Sequence, residues 1–166
     1  VTVPPEFSRL LPVERIGAAG FEQDVAATPD ECAALAIRLG IPAVLSLSCR
    51  FHLKRAPEAR FPAEANLRAT LVRECVVTLE PFETEVADAF QVVFVPAGTE
   101  DDDVDPESAD EIPYPGGAID LGEAAAEQLA LTLDPYPHRP GATLPNTGAE
   151  PPESPFSVLA RRTHDA

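Results

Sequence analysis

Residues 43–53 read AVLSLSCRFHL and residues 61–71 read FPAEANLRATL. In the first stretch Ala43, Leu45, Leu47, Cys49, Phe51 and Leu53 share one phase, while Val44, Ser46, Ser48, Arg50, His52 and then Lys54 share the other. A period of two marks an extended strand with one face against apolar surface. The second stretch repeats it: Phe61, Ala63, Ala65, Leu67, Ala69 and Leu71 face inward, and Glu64, Asn66, Arg68 and Thr70 face outward. A third strand is expected over 82–95, with Phe82, Val86, Phe90, Val92 and Phe94 on one face and Glu83, Glu85 and Gln91 on the other. The connection RAPEAR at 55–60 is short, so the three strands form an antiparallel meander with one dry and one wet face. The small residues Ala63, Ala65 and Ala69 leave room above the dry face, most simply for a helix over residues 28–39.

That helix has a clear start. Thr28 sits at the N-cap position, Pro29 at the first helical position and Glu31 three residues after the cap, the pattern of a capping box. Cys32, Leu35, Ala36 and Leu39 make its apolar stripe, and Gly40 followed by Pro42 ends it. A second helix begins at Asp120 in DLGEAAAEQLALTLD, with Glu123 three residues on and Leu121, Ala125, Leu129 and Leu133 along one side. Residues 7–17, which include Pro12, are expected to be an N-terminal edge strand, and 18–27 a loop. Residues 97–118 are rich in Asp, Glu, Gly and Pro and lack periodicity, which predicts an acidic loop, with IPY at 112–114 touching the body. The fold class is therefore α+β, with two helices on the apolar face of the meander. A single domain spans 1–134, and a Pro-rich tail spans 135–166 with seven prolines from Pro135 to Pro155. The tail ends in SPFSVLARR, where Phe156, Val158 and Leu159 form a short apolar docking motif.

Charge is unevenly distributed. The chain of 166 residues carries a net charge of −16. Six of its 12 Lys and Arg lie between Arg50 and Arg73, whereas Glu74 to Asp134 holds 17 acidic residues and no Lys or Arg. Such a field repels phosphate backbones, which argues against DNA, and attracts basic proteins. Glu100, Asp101, Asp102, Asp103 and Asp105 are its densest part and the candidate contact for a basic partner. They do not form a calcium loop, because the Gly and the position-12 Glu of an EF-hand are missing. No apolar run approaches a membrane span and no charged-then-apolar leader opens the sequence, so a cytoplasmic placement is expected.

Residues that carry chemistry are sparse. Cys32, Cys49 and Cys75 are odd in number and widely spaced, which fits reduced thiols rather than disulfides or a zinc site. Covalent catalysis needs a nucleophile beside a base. His52 lies on the wet face, opposite in phase to Cys49, and His138 and His164 lie in the tail. Phosphate-binding GxxxxGK[ST] and GxGxxG motifs are absent. Neither catalytic residues, nor a metal site, nor a cofactor is expected. Cys75 continues the inward phase of the second strand, so its thiol should be buried at the strand's end, with 76–81 turning the chain. No His or Lys stands near it in sequence to lower its pKa. A basic patch of Arg50, His52, Lys54, Arg60 and Arg68 remains, able to touch RNA phosphates or to pair with Glu83, Glu85 or the acidic loop.

Several stretches carry a resemblance. RATLVRECVVTLEPFETEV at 68–86 and AFQVVFVP at 89–96 resemble the YceD family, the large ribosomal RNA subunit accumulation proteins, in a form similar to alphaproteobacterial members. EFSRLLPVERIG, ECAALAIRLGIPAV, IDLGEAAAEQLALTLDPYPHRPG and the terminal SPFSVL agree with it, so the resemblance runs over nearly the whole chain. Cys75, Val76, Thr78, Leu79 and Pro81 mark its signature hairpin. Many relatives have Cys-x-x-Cys there, and this chain has Thr78 in place of the second cysteine. The resemblance implies a non-catalytic ribosome-assembly factor supporting accumulation of large-subunit ribosomal RNA. Joined with the charge pattern, it implies that a basic large-subunit ribosomal protein or a pre-ribosomal particle is the partner. Direct binding of ribosomal RNA is the alternative, and a cysteine enzyme using Cys75 a distant third.

Overall fold

The computed structural model describes residues 5–99 and 109–143. In chain order the elements are β1 (Leu10–Pro12), β2 (Phe21–Ala26), α1 (Pro29–Leu39), β3 (Ala43–Leu53), β4 (Phe61–Glu74), β5 (Pro81–Pro96), β6 (Asp110–Tyr114), β7 (Ala118–Asp120) and α2 (Leu121–Thr132). Strands β2 to β6 form one sheet in sequence order, antiparallel throughout except that β6 runs parallel to β5. The alternation that defines β3, β4 and β5 thus gives the expected meander. One continuous cluster fills its dry side, from Leu47, Phe51, Phe61, Leu67 and Phe94 of the sheet to Leu35 of α1 and Leu121 and Leu129 of α2.

Four local expectations change. The segment expected as a loop at 18–27 contains β2, the true sheet edge, with Glu22 and Asp24 paired to His52 and Arg50. The expected N-terminal edge strand is only β1, and it pairs with β7 in a separate two-stranded ribbon. Within the acid-rich stretch, Asp110–Tyr114 adds a strand to β5, anchored by the Tyr114 hydroxyl donating to the Ala59 carbonyl at 2.7 Å. Near the start of β3 a bulge between Val44 and Ser46 inverts the phase. Val44 is buried there, and Leu45 is exposed instead of facing inward.

The helix caps differ as well. Thr28 and Glu31 complete the capping box of α1, and Arg9 holds Glu31 with two bonds of 2.7 and 2.8 Å. At α2 the Asp120 side chain accepts from Gly122 and Glu123 amides and also from Arg9 N and Ser8 Oγ. Glu123 turns away to Arg38, at 2.7 Å. The N-terminal segment therefore passes directly over the start of α2. A Cβ on Gly122 would meet Phe7 O at 2.7 Å, so only glycine fits under that crossing. α1 packs mainly on β3, while α2 also reaches β4. The cover over Ala63, Ala65 and Ala69 is thus not left to α1 alone.

Candidate functional site

The uncovered face of the sheet follows from the ladder register. Successive rows across β2, β3, β4 and β5 are Ala26–Ser48–Arg68–Ala87, Asp24–Arg50–Asn66–Ala89 and Glu22–His52–Glu64–Gln91. Small side chains at Ala26, Ser48, Ala87 and Ala89 leave a shallow groove of about 690 Å³ around Arg50 and Arg68. Arg50 bonds Asp24 at 2.7 and 3.1 Å, and His52 lies 3.3 Å from Glu22. Both partners come from β2, within the segment expected to be a loop. Glu83 and Glu85 stand opposite Val72 and Thr70, and neither pairs with a cation of the patch among the described residues. The alternation of Phe21, Gln23 and Val25 with Glu22, Asp24 and Ala26 was the signal for that edge. Arg60 precedes β4 and pairs with Glu111 of β6. Lys54 and Arg68 have no ion-pair partner among the described residues. The face carries the cations Arg50, Lys54 and Arg68 against the acids Glu22, Asp24, Glu64, Glu74, Glu83 and Glu85. Acids outnumber cations there, which weakens its attraction for a phosphate backbone.

The hairpin between β4 and β5 brings two distant stretches together. Cys75 N donates to Glu80 O at 3.0 Å and Leu79 N to Cys75 O at 2.8 Å, closing the turn with Leu79 in the left-handed region at φ 58°. Pro-rich residues after α2 lie across this turn. Val76 N donates to Pro137 O at 3.0 Å, Arg73 to Asp134 O at 2.6 Å, and Arg139 to Glu80 at 2.5 Å. The Arg139 amide points at Cys75 Sγ, 3.4 Å away. Cys75 is fully buried yet stands outside the main apolar cluster. Its pKa is lowered to about 6, first by the Arg139 amide, then by the Thr78 hydroxyl and the Thr78 and Val77 amides, against the upward push of burial. The absence of His or Lys nearby in sequence predicted no such lowering. The donors are backbone amides and one hydroxyl, brought in by folding rather than by spacing. Thr78, at the place of a second cysteine, supplies the hydroxyl and one of the amides. Val76 and Leu79 point outward, at 44% and 69% exposure, and Pro81 opens β5.

A third feature lies between α2 and the β6–β7 segment. It is a groove of about 490 Å³ with Phe94, Ile112, Tyr114 and Ala124 along it. Carboxylates surround it: Glu111, Asp120, Glu123 and Glu127.

Glu100, Asp101, Asp102, Asp103 and Asp105, and the terminal Phe156, Val158 and Leu159, lie outside the described residues. Among the described residues no group of His, Cys, Asp or Glu is arranged to hold a metal ion, and no helix is long and apolar enough to cross a membrane.

Comparison with known families bears on the corner and on α2 together. A model of the family described as large ribosomal RNA subunit accumulation protein YceD matches residues 63–160, more than half of the chain. The match takes in β4, the Cys75 hairpin, β5, the acid-rich stretch, α2 and the terminal apolar motif, while EFSRLLPVERIG and ECAALAIRLGIPAV lie before it. Comparisons with curated proteins and with solved structures return no significant match. The chain belongs to the YceD family of large ribosomal RNA subunit accumulation proteins, whose description implies involvement in the accumulation of large-subunit ribosomal RNA.

Proposed function

We propose that the chain acts in the cytoplasm as a non-catalytic ribosome-assembly factor that binds a basic large-subunit ribosomal protein, free or on a pre-ribosomal particle. One observation carries this reading: Glu74 to Asp134 holds 17 acidic residues and no Lys or Arg. Such a surface shields a basic protein from premature contact with RNA by charge complementarity. Glu100, Asp101, Asp102, Asp103 and Asp105 are its assigned contacts, on the body assigned to residues 1–134. The test is capture of purified basic large-subunit proteins by the tagged chain. Retention at low salt and release at high salt is expected, and no retention at low salt overturns the proposal. Lys54 and Arg68, without an ion-pair partner among the described residues, support a second reading in which RNA binds directly. Glu at Arg50, Lys54, Arg60 and Arg68 would then abolish retention of ribosomal RNA, and unchanged retention would exclude it.

A further inference from the structure

The acid-rimmed groove has the chemistry of a docking site. Its floor is apolar, formed by Phe94, Ile112, Pro113, Tyr114 and Ala124, and Leu10 stands at its rim with 68% exposure. Among the described residues no Lys, Arg or His lines it. Three of its four carboxylates are engaged elsewhere: Glu111 by Arg60, Glu123 by Arg38, and Asp120 by the cap of α2. Glu127 has no hydrogen-bond or ion-pair partner among the described residues. Desolvation by the groove, with Glu123 nearby, raises its pKa against the weaker opposing pull of Arg38, so a cation placed there would stabilise the charged carboxylate. A ligand matching these features has bulky apolar side chains followed at once by a positive charge.

The chain's own end has that pattern. Phe156, Val158 and Leu159 are followed by Arg161 and Arg162. We propose that this terminal segment docks in the groove of the same molecule, with Phe156 and Leu159 on the apolar floor and Arg161 or Arg162 against Glu127. Chain length allows it. From Glu127 to Thr143 the path is at most about 45 Å, counting the last turn of α2 as helix and the rest as extended. Hydrogen-bonded turns at Asp134–Tyr136 and Arg139–Ala142 shorten that path. The twelve residues 144–155 span about 40 Å when extended, enough to return. The family match also continues to residue 160, so the apolar motif is part of the family pattern along with α2. This inference rests on the groove and the tail, and it stands whichever macromolecule the acidic stretch binds.

Hydrogen exchange on the full-length protein tests it. Phe156→Ala with Leu159→Ala removes the apolar anchors and leaves every described residue unchanged, and Glu127→Lys reverses the rim charge on an exposed position. Each is expected to speed exchange of the amides of residues 110–118 by about tenfold, because docking adds protection to that edge. Combining Glu127→Lys with Arg161→Glu and Arg162→Glu is expected to restore slow exchange, which a merely structural role of Glu127 would not do. Exchange unchanged by the tail substitutions overturns the proposal. So does protection that grows with protein concentration, since a second copy would then supply the segment. Failure of the charge reversal to restore protection overturns the pairing with Glu127.

Discussion

Cys49 in the middle of β3 and Cys75 at the end of β4 are both buried, with exposures of 2% and 0%, yet their thiols are driven in opposite directions. Cys49 sits among apolar side chains on the dry face, and burial, with a smaller contribution from Asp24, pushes its pKa up to about 12. Cys75 sits where a turn and a Pro-rich segment converge their N–H groups, and its pKa is lowered to about 6. Removal from water therefore does not set the protonation state by itself. A thiol surrounded by carbon stays neutral, and a thiol surrounded by donors becomes an anion that ties those donors together. In this family member the hairpin corner is a small polar nucleus against an otherwise apolar fold.

Serine at each position separates the two environments most strongly. Cys49→Ser puts a hydroxyl into the dry face and is expected to cost about 1–3 kcal/mol, with little dependence on pH between 6 and 9. Cys75→Ser should behave differently. The native pKa of about 6 lies below the ordinary thiol value of 9, so between these limits the unfolded state binds more protons than the native one. The stability supplied by the thiolate is fully present above about pH 9 and is lost as pH falls toward 6. The gap in urea midpoint between the parent protein and Cys75→Ser should widen from pH 6 to pH 9. A gap that stays constant would mean Cys75 is neutral like Cys49, and the comparison would fail.

How visible each environment is in the sequence follows the same division. The dry face was legible because period-two alternation in 43–53 and 61–71 is local, and the sheet needs nothing else to place Phe51 or Leu67. Thr28–Glu31 was legible as a cap for the same reason. The phase of Leu45 was not, because a bulge adds one residue without a marker in composition. Strand β2 spans only six residues, three of them polar, so neither it nor the partners of Arg50 and His52 stand out in the sequence. Burial of Cys75 was readable from its phase. Its donors were not, since Arg139 is 64 residues away and contributes only a main-chain amide, which every residue type except proline has. The Pro-rich composition after Asp134 suggested a linker, whereas residues 137–139 lie against the turn.

A smaller effect isolates one donor. Thr78→Val keeps the shape of the side chain and deletes the hydroxyl that bonds the Cys75 sulfur. The thiol pKa should rise toward its ordinary value, while the amide of Arg139 still holds it below. Titration of thiolate absorbance measures this directly, and Cys49 does not interfere below pH 9. No change on losing the hydroxyl would assign the whole lowering to backbone amides, making the identity of residue 78 irrelevant to the thiol.

The smallest expected effect tests whether the turn alone creates the polar corner. Leu79 holds a left-handed φ of 58° while its side chain is 69% exposed. That backbone conformation costs a non-glycine residue roughly 1–2 kcal/mol. Glycine there removes the crowding but loses about 0.5–1 kcal/mol through the freedom of the unfolded chain. Leu79→Gly should therefore leave stability unchanged or raise it by up to about 1 kcal/mol in urea unfolding. The Leu79 amide would still donate to Cys75 O, and the amides of Val77 and Thr78 would still face the sulfur, so the thiol pKa should not move. A clear loss of stability would show that the Leu79 side chain, and not the turn geometry, holds the corner closed. Cys75 would then owe its donors to side-chain packing, as Cys49 owes its neutrality, and the two sites would differ in partners rather than in principle.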